Sequence, residues 1–263
     1  MKISLVTPSF NQAPFIEQTL QSVQKQTGAE FEHIVVDACS TDGTRDILEN
    51  YRDKLDRLII EPDGGQADAI RKGFAACSGE ILGFLNSDDV LLPGTMKFIS
   101  EYFADNPSVD AVYSNRIYIN EDGQVSNFWI LPPHSDYLMS RWDFVPQETC
   151  FWRRSLMERS GGIDPTFRFA LDYDLFVRMM AHGRFRRVNR FLAAFRLHPN
   201  SKSTTLYDTV GRPEITQIQR SNGINIHWYD HALKYCFGGW ILGISFIFRA
   251  LAINAIRKRL HFQ

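Results

Sequence analysis

Apolar positions along the first third of the chain alternate between two spacings. Ile3-Ser4-Leu5-Val6 reads as a strand, and Pro14 suits the first turn of a helix carrying Phe15, Ile16, Leu20 and Val23. Phe31 to Val36 follows as a strand, Thr44 to Tyr51 as a helix, Arg57 to Ile60 as a strand and Ala67 to Ala76 as a helix. Ile81 to Leu85 is a short buried strand. Strands alternating with helices predict βαβ units and a largely parallel sheet, with ligands gathered beyond the carboxyl ends of the strands. After Pro93 the pattern becomes α+β. Thr95 to Phe103 is helical, Val109 to Tyr113 and Arg116 to Ile119 are strand-like, Cys150 to Trp152 is a strand, and Leu171 to Ala181 has helical spacing.

Composition narrows the class. A chain of 263 residues with 44% hydrophobic and 22% charged residues is an ordinary globular protein. A net charge of −1 exerts no global pull on a polyanion, so nucleic acid is not an expected partner. Cys39, Cys77, Cys150 and Cys236 form no CxxC pair, which excludes a readable zinc knuckle or redox motif and favours free thiols. Lys2 is followed by an apolar stretch too short for a signal peptide, so a cytoplasmic location is expected.

The candidate chemistry lies at the strand ends. Leu85-Asn86-Ser87-Asp88-Asp89 is a buried strand running into adjacent carboxylates. Such a pair repels itself unless a divalent cation, manganese or magnesium, sits against it, and that cation can bridge to phosphate oxygens. The plainer reading is a turn cap before Leu91-Leu92-Pro93. Asp37 ends the second strand, and Ser40, Thr41 or Asp42 can cap the helix that follows. Glu61-Pro62-Asp63-Gly64-Gly65-Gln66-Ala67-Asp68 is a glycine turn entering a helix, where backbone can approach a ligand.

Together with Thr7-Pro8-Ser9-Phe10-Asn11, these loops resemble family 2 glycosyltransferases of the GT-A fold, in the bacterial branch that builds surface polysaccharides. The resemblance covers roughly residues 1 to 205 and implies a GT-A domain with a Rossmann-like nucleotide-binding half (1–92), an acceptor half (93–205) and a central mixed, mostly parallel sheet. It implies that Thr7, Pro8, Ser9, Asn11 and Asp37 hold the nucleoside, usually uridine. Gly65, Gln66, Asp68 and Arg71 would line the donor pocket. Asn86-Ser87-Asp88-Asp89 resembles the family's DxD region, with Asn86 and Ser87 on the donor, Asp88 on the metal and Asp89 beside it. Asn86 stands where the first acid is usual, and Arg71 where Asn is common.

Transfer also requires a base, because a sugar hydroxyl is a poor nucleophile near neutral pH. Phe169-Ala170-Leu171-Asp172-Tyr173-Asp174 resembles the family's acidic motif, and Asp172 falls on the base. Either Asp172 or Asp174 is also expected to cap a helix from Leu175. His198, in Arg196-Leu197-His198, resembles a residue near the diphosphate and completes the expected metal set. Gln147, Glu148 and Trp152 resemble the acceptor side, although core packing is the plainer reading of Trp152.

Residues 206–263 are expected to form a separate helical segment. From Tyr235 to Phe248 no residue is charged, and Arg257-Lys258-Arg259 follows. That run is short for a bilayer span and suits either a core helix or a helix in the membrane interface. The interfacial reading is preferred, because a lipid-linked glycan acceptor would lie there, on the inner face of the plasma membrane. The expected reaction is inverting sugar transfer from a nucleotide-diphosphate donor to an acceptor hydroxyl. A nucleotidyltransferase with a similar sheet, or an inactive nucleotide-sugar binding module, is the alternative.

Overall fold

The computed structural model describes residues 1–231 and Leu233. The apolar run Tyr235 to Phe248, the basic Arg257 to Arg259 and Cys236 lie outside the described residues. Cys39, Cys77 and Cys150 are free thiols.

The first half is a parallel βα alternation. Strand β1 (Ile3–Ser9) is buried along its whole length and leads to α1 (Ile16–Gln24), whose Ile16, Leu20 and Val23 are buried. Strand β2 (Phe31–Asp37) is followed by α2 (Thr44–Asn50), and β3 (Arg57–Ile60) by α3 (Gln66–Ala75). Strand β4 (Ile81–Phe84) completes the parallel set in the order β3-β2-β1-β4. Pairing of Ser9 with Asp37 and of Asp37 with Ile60 brings these carboxyl ends level, so the loops beyond them share one edge. Gly73 lets α3 lie close on the sheet, since a Cβ there would stand 2.4 Å from Cγ1 of Val6.

The second half extends the same sheet. Its elements are β5 (Val90–Leu91), α4 (Thr95–Asp105), β6 (Ala111–Ile119), β7 (Val125–Trp129), α5 (Asp136–Met139), β8 (Phe151–Arg153), α6 (Arg154–Arg159), α7 (Leu171–Met180), β9 (Phe185–Arg196), α8 (Lys202–Thr205) and α9 (Arg212–Ser221). Antiparallel β8 joins β4 to β6, and β6 pairs parallel with β9. Among the described residues nine strands thus form one mixed, mostly parallel sheet.

Apolar side chains cover both faces of this sheet. One cluster holds Val36, Ile70, Phe84, Trp152, Phe176 and Phe185, and the other holds Ile3, Leu5, Ile99, Phe103 and Phe151. The two strand-like stretches read around residues 109–119 are one continuous strand, β6, because pairing with β9 runs through both. Ile218 of α9 belongs to the first cluster, so α9 packs on the same core as the chain before residue 205. Among the described residues no helix is long and apolar enough to cross a membrane.

Candidate active site

The loops beyond β1 and β2 interlock. Asp37 is fully buried, and its two carboxylate oxygens accept from Ser40 N at 2.8 Å and Ser40 Oγ at 2.6 Å. Ser40 Oγ in turn accepts from Asn11 N, and Asn11 Oδ1 accepts from Thr41 N at 2.9 Å. Asp37 therefore shapes the loop between β2 and α2, while its oxygens are occupied by Ser40. Asp42 accepts from the amide and hydroxyl of Thr44, which stabilises the first turn of α2, although Gly43 is the capping position. Thr7 is corrected outright: it is buried, and its hydroxyl is paired with His33 Nε2 at 2.9 Å. Burial depresses the His33 pKa to about 3, so this partner is a neutral ring in the core. Pro8 is likewise buried. Ser9 Oγ is buried with no partner, and Phe10 at the loop tip is 59% exposed.

A chain of amides crosses the sheet edge beyond β4. Gln66 Nε2 donates to Asn86 Oδ1 at 2.7 Å, Asn86 Nδ2 donates to Gln147 Oε1 at 3.2 Å, and Gln147 Nε2 donates to the Phe84 carbonyl at 2.5 Å. Asn86 uses its acceptor and its donor here, and an ionised Asp has no donor to offer Gln147. That accounts physically for Asn at this position. Gly65, at φ 116°, turns the chain into α3. Asp68 and Arg71 form an ion pair at 2.7 Å on the outside of that helix, with the Arg71 side chain more than half exposed. This pair, with the Gly64 amide, lowers the Asp68 pKa.

Asp88 and Asp89 point in different directions. Asp88 Oδ2 meets His198 Nε2 at 3.0 Å, whereas Asp89 is fully buried and accepts from Arg196 N at 2.9 Å. Asp89 is thus corrected from metal contact to an anchor for the end of β9. Burial, then the charges of Asp88 and Glu148, raise its carboxyl well above the ordinary range. Ser87 is held by the Thr19 hydroxyl, which donates to the carbonyls of both Ser87 and Asp89. Arg196 is buried and donates to the carbonyls of Asp88, Asn120 and Glu121, so its guanidinium braces the turn from beneath.

Asp88 and His198 are an oxygen and a nitrogen ligand side by side, a donor set that suits a divalent cation whose remaining positions are filled by phosphate or water. Among the described residues no group of three or more His, Cys, Asp or Glu is arranged to hold a metal alone. The pair fits a cation shared with a bound phosphate rather than a closed protein cage.

Asp172 and Asp174 lie in the first turn of α7, and neither caps it. Just before the helix, Glu214 of α9 accepts from the amides of Arg168, Phe169 and Ala170 at 2.8, 2.9 and 2.8 Å. Asp174 is buried and paired with Arg178. Asp172 is half-buried and accepts only from the next amide, Tyr173 N, at 2.9 Å. Enclosure raises its pKa, against the pull of that amide and of Arg116. Beside it stands Asp143, which sequence reasoning missed. Asp143 is exposed to solvent, and neighbouring protein atoms, then the Asp172 charge, raise its pKa.

Glu148 and Trp152 are also corrected. Glu148 is buried with both oxygens on Arg116, at 2.8 and 2.7 Å, and so supports the floor of the cleft rather than contacting an acceptor. Burial opposes the Arg116 charge, but Glu148 outweighs it and the guanidinium stays ionised. Trp152 is fully buried among Phe74, Phe84 and Phe176, at ring separations of 5.9, 6.3 and 6.0 Å, so no sugar can stack on it.

The profile described as glycosyl transferase family 2 matches residues 4–161. The chain belongs to that family. It is 28% identical to TuaG of Bacillus subtilis, a glycosyltransferase assigned to teichuronic acid biosynthesis, over 98% of this chain and 97% of that one. An uncharacterized glycosyltransferase of Nostoc sp. is 30% identical over 75% of this chain, which spans 65% of that relative's length. Among solved structures, Staphylococcus aureus TarS in complex with UDP-GlcNAc superposes with a TM-score of 0.69 at 21% identity, covering 85% of this chain and 66% of that one. The mannosyltransferase PcManGT of Pyrobaculum calidifontis, in complex with GDP-Man and Mn2+, superposes with a TM-score of 0.59 at 18% identity, covering 99% and 88%. The fold of the family 2 chain is therefore that of GT-A glycosyltransferases from bacterial surface-polysaccharide synthesis and their structural relatives.

Proposed function

We propose that this family 2 protein is an inverting glycosyltransferase that moves a sugar from a nucleotide-diphosphate donor, a UDP-sugar, to the hydroxyl of a glycan or lipid-linked glycan. Two carboxylates carry the reading: Asp88, paired with His198 after β4, and Asp172 at the start of α7 with its pKa raised, where the same Arg116 and Glu148 charges act on Asp172 and on Asp89 beside Asp88. A raised pKa brings a carboxylate closer to the pH at which it works, and makes it a better proton acceptor than an ordinary surface Asp.

Each part then has a task. The loops around Ser9, Phe10, Asn11 and Asp37 form the nucleoside pocket, with the free Ser9 hydroxyl and the open Phe10 ring as its unspent groups. The Gln66–Asn86–Gln147 amides form a polar floor for ribose and sugar hydroxyls. Asp172 takes the acceptor proton as the hydroxyl attacks the anomeric carbon from the face opposite the phosphate. Asp88 and His198 would hold a manganese or magnesium ion, which supplies positive charge beside the departing diphosphate. Asp143 borders the acceptor side. The loop bearing it is tied to α7 by the Tyr173 hydroxyl on the Ser140 carbonyl, and to α9 by Gln219 on the Arg141 carbonyl.

The relatives' names favour a surface polysaccharide as the product, and the apolar, basic C-terminal sequence favours an acceptor at the inner face of the plasma membrane. The test is to incubate the full chain with a panel of UDP- and GDP-sugars and manganese, and to measure released nucleoside diphosphate. Turnover of a UDP-sugar that is lost in Asp172→Asn supports the reading. Release of pyrophosphate, or no release with any donor, overturns it.

A further inference from the structure

The segment after β9 touches the cleft twice. His198 reaches Asp88, and four positions later the Lys202 ammonium donates to Gln66 Oε1 at 2.7 Å and to the Arg168 carbonyl at 3.3 Å. Both of those acceptors are neutral. Among the described residues Lys202 has no carboxylate within 4.0 Å; Glu214, Asp172 and Asp63 act on it only from farther away. Lys202 is an exposed residue, and the protein atoms near its ammonium, then the Arg168 charge, lower its pKa. An ammonium held against neutral oxygens and near a guanidinium is short of negative charge, and an anion placed beside it is stabilised.

The amide that holds it supplies the direction. Gln66 is bonded on its other side to Asn86, so Lys202 is the outermost member of the chain of polar groups along the sheet edge. Lys202, through Gln66 and Asn86, and His198, through Asp88, thus both link the segment after β9 to the loop after β4. Ser201, which caps the short helix α8, fixes where Lys202 leaves the chain.

We propose that Lys202 is a positioning residue for the donor's diphosphate, exchanging its bond to Gln66 for the phosphate oxygens and drawing the segment 197–205 onto the donor. The inference rests on the nucleotide-sugar reading above. The charge balance gives it a reason. When the anomeric C–O bond breaks, its electron pair stays on the β-phosphate oxygen and the acceptor proton goes to Asp172. The nucleoside diphosphate therefore departs with one more negative charge than the bound donor carried. A cation held by Asp88 and His198 would offset part of that charge, and Lys202 offsets more of it.

Calorimetric titration of the full chain in manganese tests this, with UDP and GDP as probes and then the monophosphate of whichever the wild type binds. Lys202→Met, and Lys202→Gln as a second variant, should weaken diphosphate binding about tenfold, the scale of one charge-assisted contact, and leave monophosphate binding unchanged. Lys202→Arg should restore most of the loss. In turnover, KM for the donor should rise in Lys202→Met. Equal weakening of the mono- and diphosphate would mean that the side chain only supports Gln66, and unchanged diphosphate binding would mean that it does not touch the donor; either overturns the proposal. A wild type that binds neither diphosphate overturns the nucleotide-sugar reading as well, and so separates the two failures.

Discussion

Glu214 accepts the amide of Ala170 at 2.8 Å, two residues before the base candidate Asp172. With the Arg168 and Phe169 amides on the same carboxylate, it satisfies donors that the first turn of α7 leaves open, and it places a negative charge at the positive end of that helix. Hydrogen bonds to a charged group contribute about 1.5–3 kcal/mol each, and these share one side chain. Glu214→Ala is expected to lower stability by about 2–3 kcal/mol in denaturant unfolding. It should also reduce kcat more than it raises the donor KM, because the turn it releases carries Asp172. Wild-type stability in the variant would show that solvent replaces the carboxylate.

Asp172 must be ionised to receive a proton. Its pKa is raised by enclosure, so the acid limb of kcat/KM against pH should lie above the ordinary carboxylate range, with activity falling as pH drops through it. Asp172→Asn should cost about 10²–10⁴ in kcat and leave nucleotide affinity intact. A pH–rate profile with its acid limb at the value of a free Asp side chain would place the base elsewhere.

Phe10 offers an open aromatic face beside the loop ordered by Asp37 and Ser40. Stacking of a base on an aromatic ring is worth about 1–3 kcal/mol. Phe10→Ala should therefore weaken nucleoside diphosphate binding about tenfold or more, and Phe10→Tyr should preserve it. Calorimetry decides between these outcomes.

Asp89 gives a prediction whose sign runs against intuition. Burial, then Asp88 and Glu148, raise its folded pKa, with the Arg196 amide and Arg116 acting the other way. A carboxyl of raised folded pKa contributes most to stability at low pH, and that contribution is lost as pH rises through the folded value. Asp89→Asn keeps an acceptor for Arg196 N and carries no charge. Thermal unfolding in EDTA should show the variant melting at or above the wild type near neutrality, with the gap widening as pH rises above the ordinary carboxylate range. A variant that melts lower at every pH would mean that Arg196 and Arg116 compensate the charge in full.

Much of the fold was legible because its signals are local. Strand β3 was read at its observed bounds, and α3 and α7 within one residue at each end, since apolar spacing and flanking glycines act over a few positions. Strands β5, β7 and β9 were not assigned. Val90–Leu91 is too short to show a period, and the exposed arginines of β9 look like a solvated surface until β6 pairs with them. Among site residues, the motif order pointed to the loops after β1, β2 and β4 and to the start of α7. It did not foresee that Thr7, Glu148 and Trp152 turn inward, because a strand residue's face depends on register and on what lies across it.

What the chain determined by itself was which polar residues end up near one another: parallel βαβ units level the strand ends, so Ser9, Asp37 and the Asn86 to Asp89 loop must share an edge. Only the tertiary structure decided which of them are open. Asp88 faces His198 while Asp89 is buried against Arg196, and Glu214 and Lys202 reach the cleft from the far end of the chain. The reason is that burial and pairing are set by contacts between segments distant in sequence, and no local spacing encodes which oxygen will find a partner.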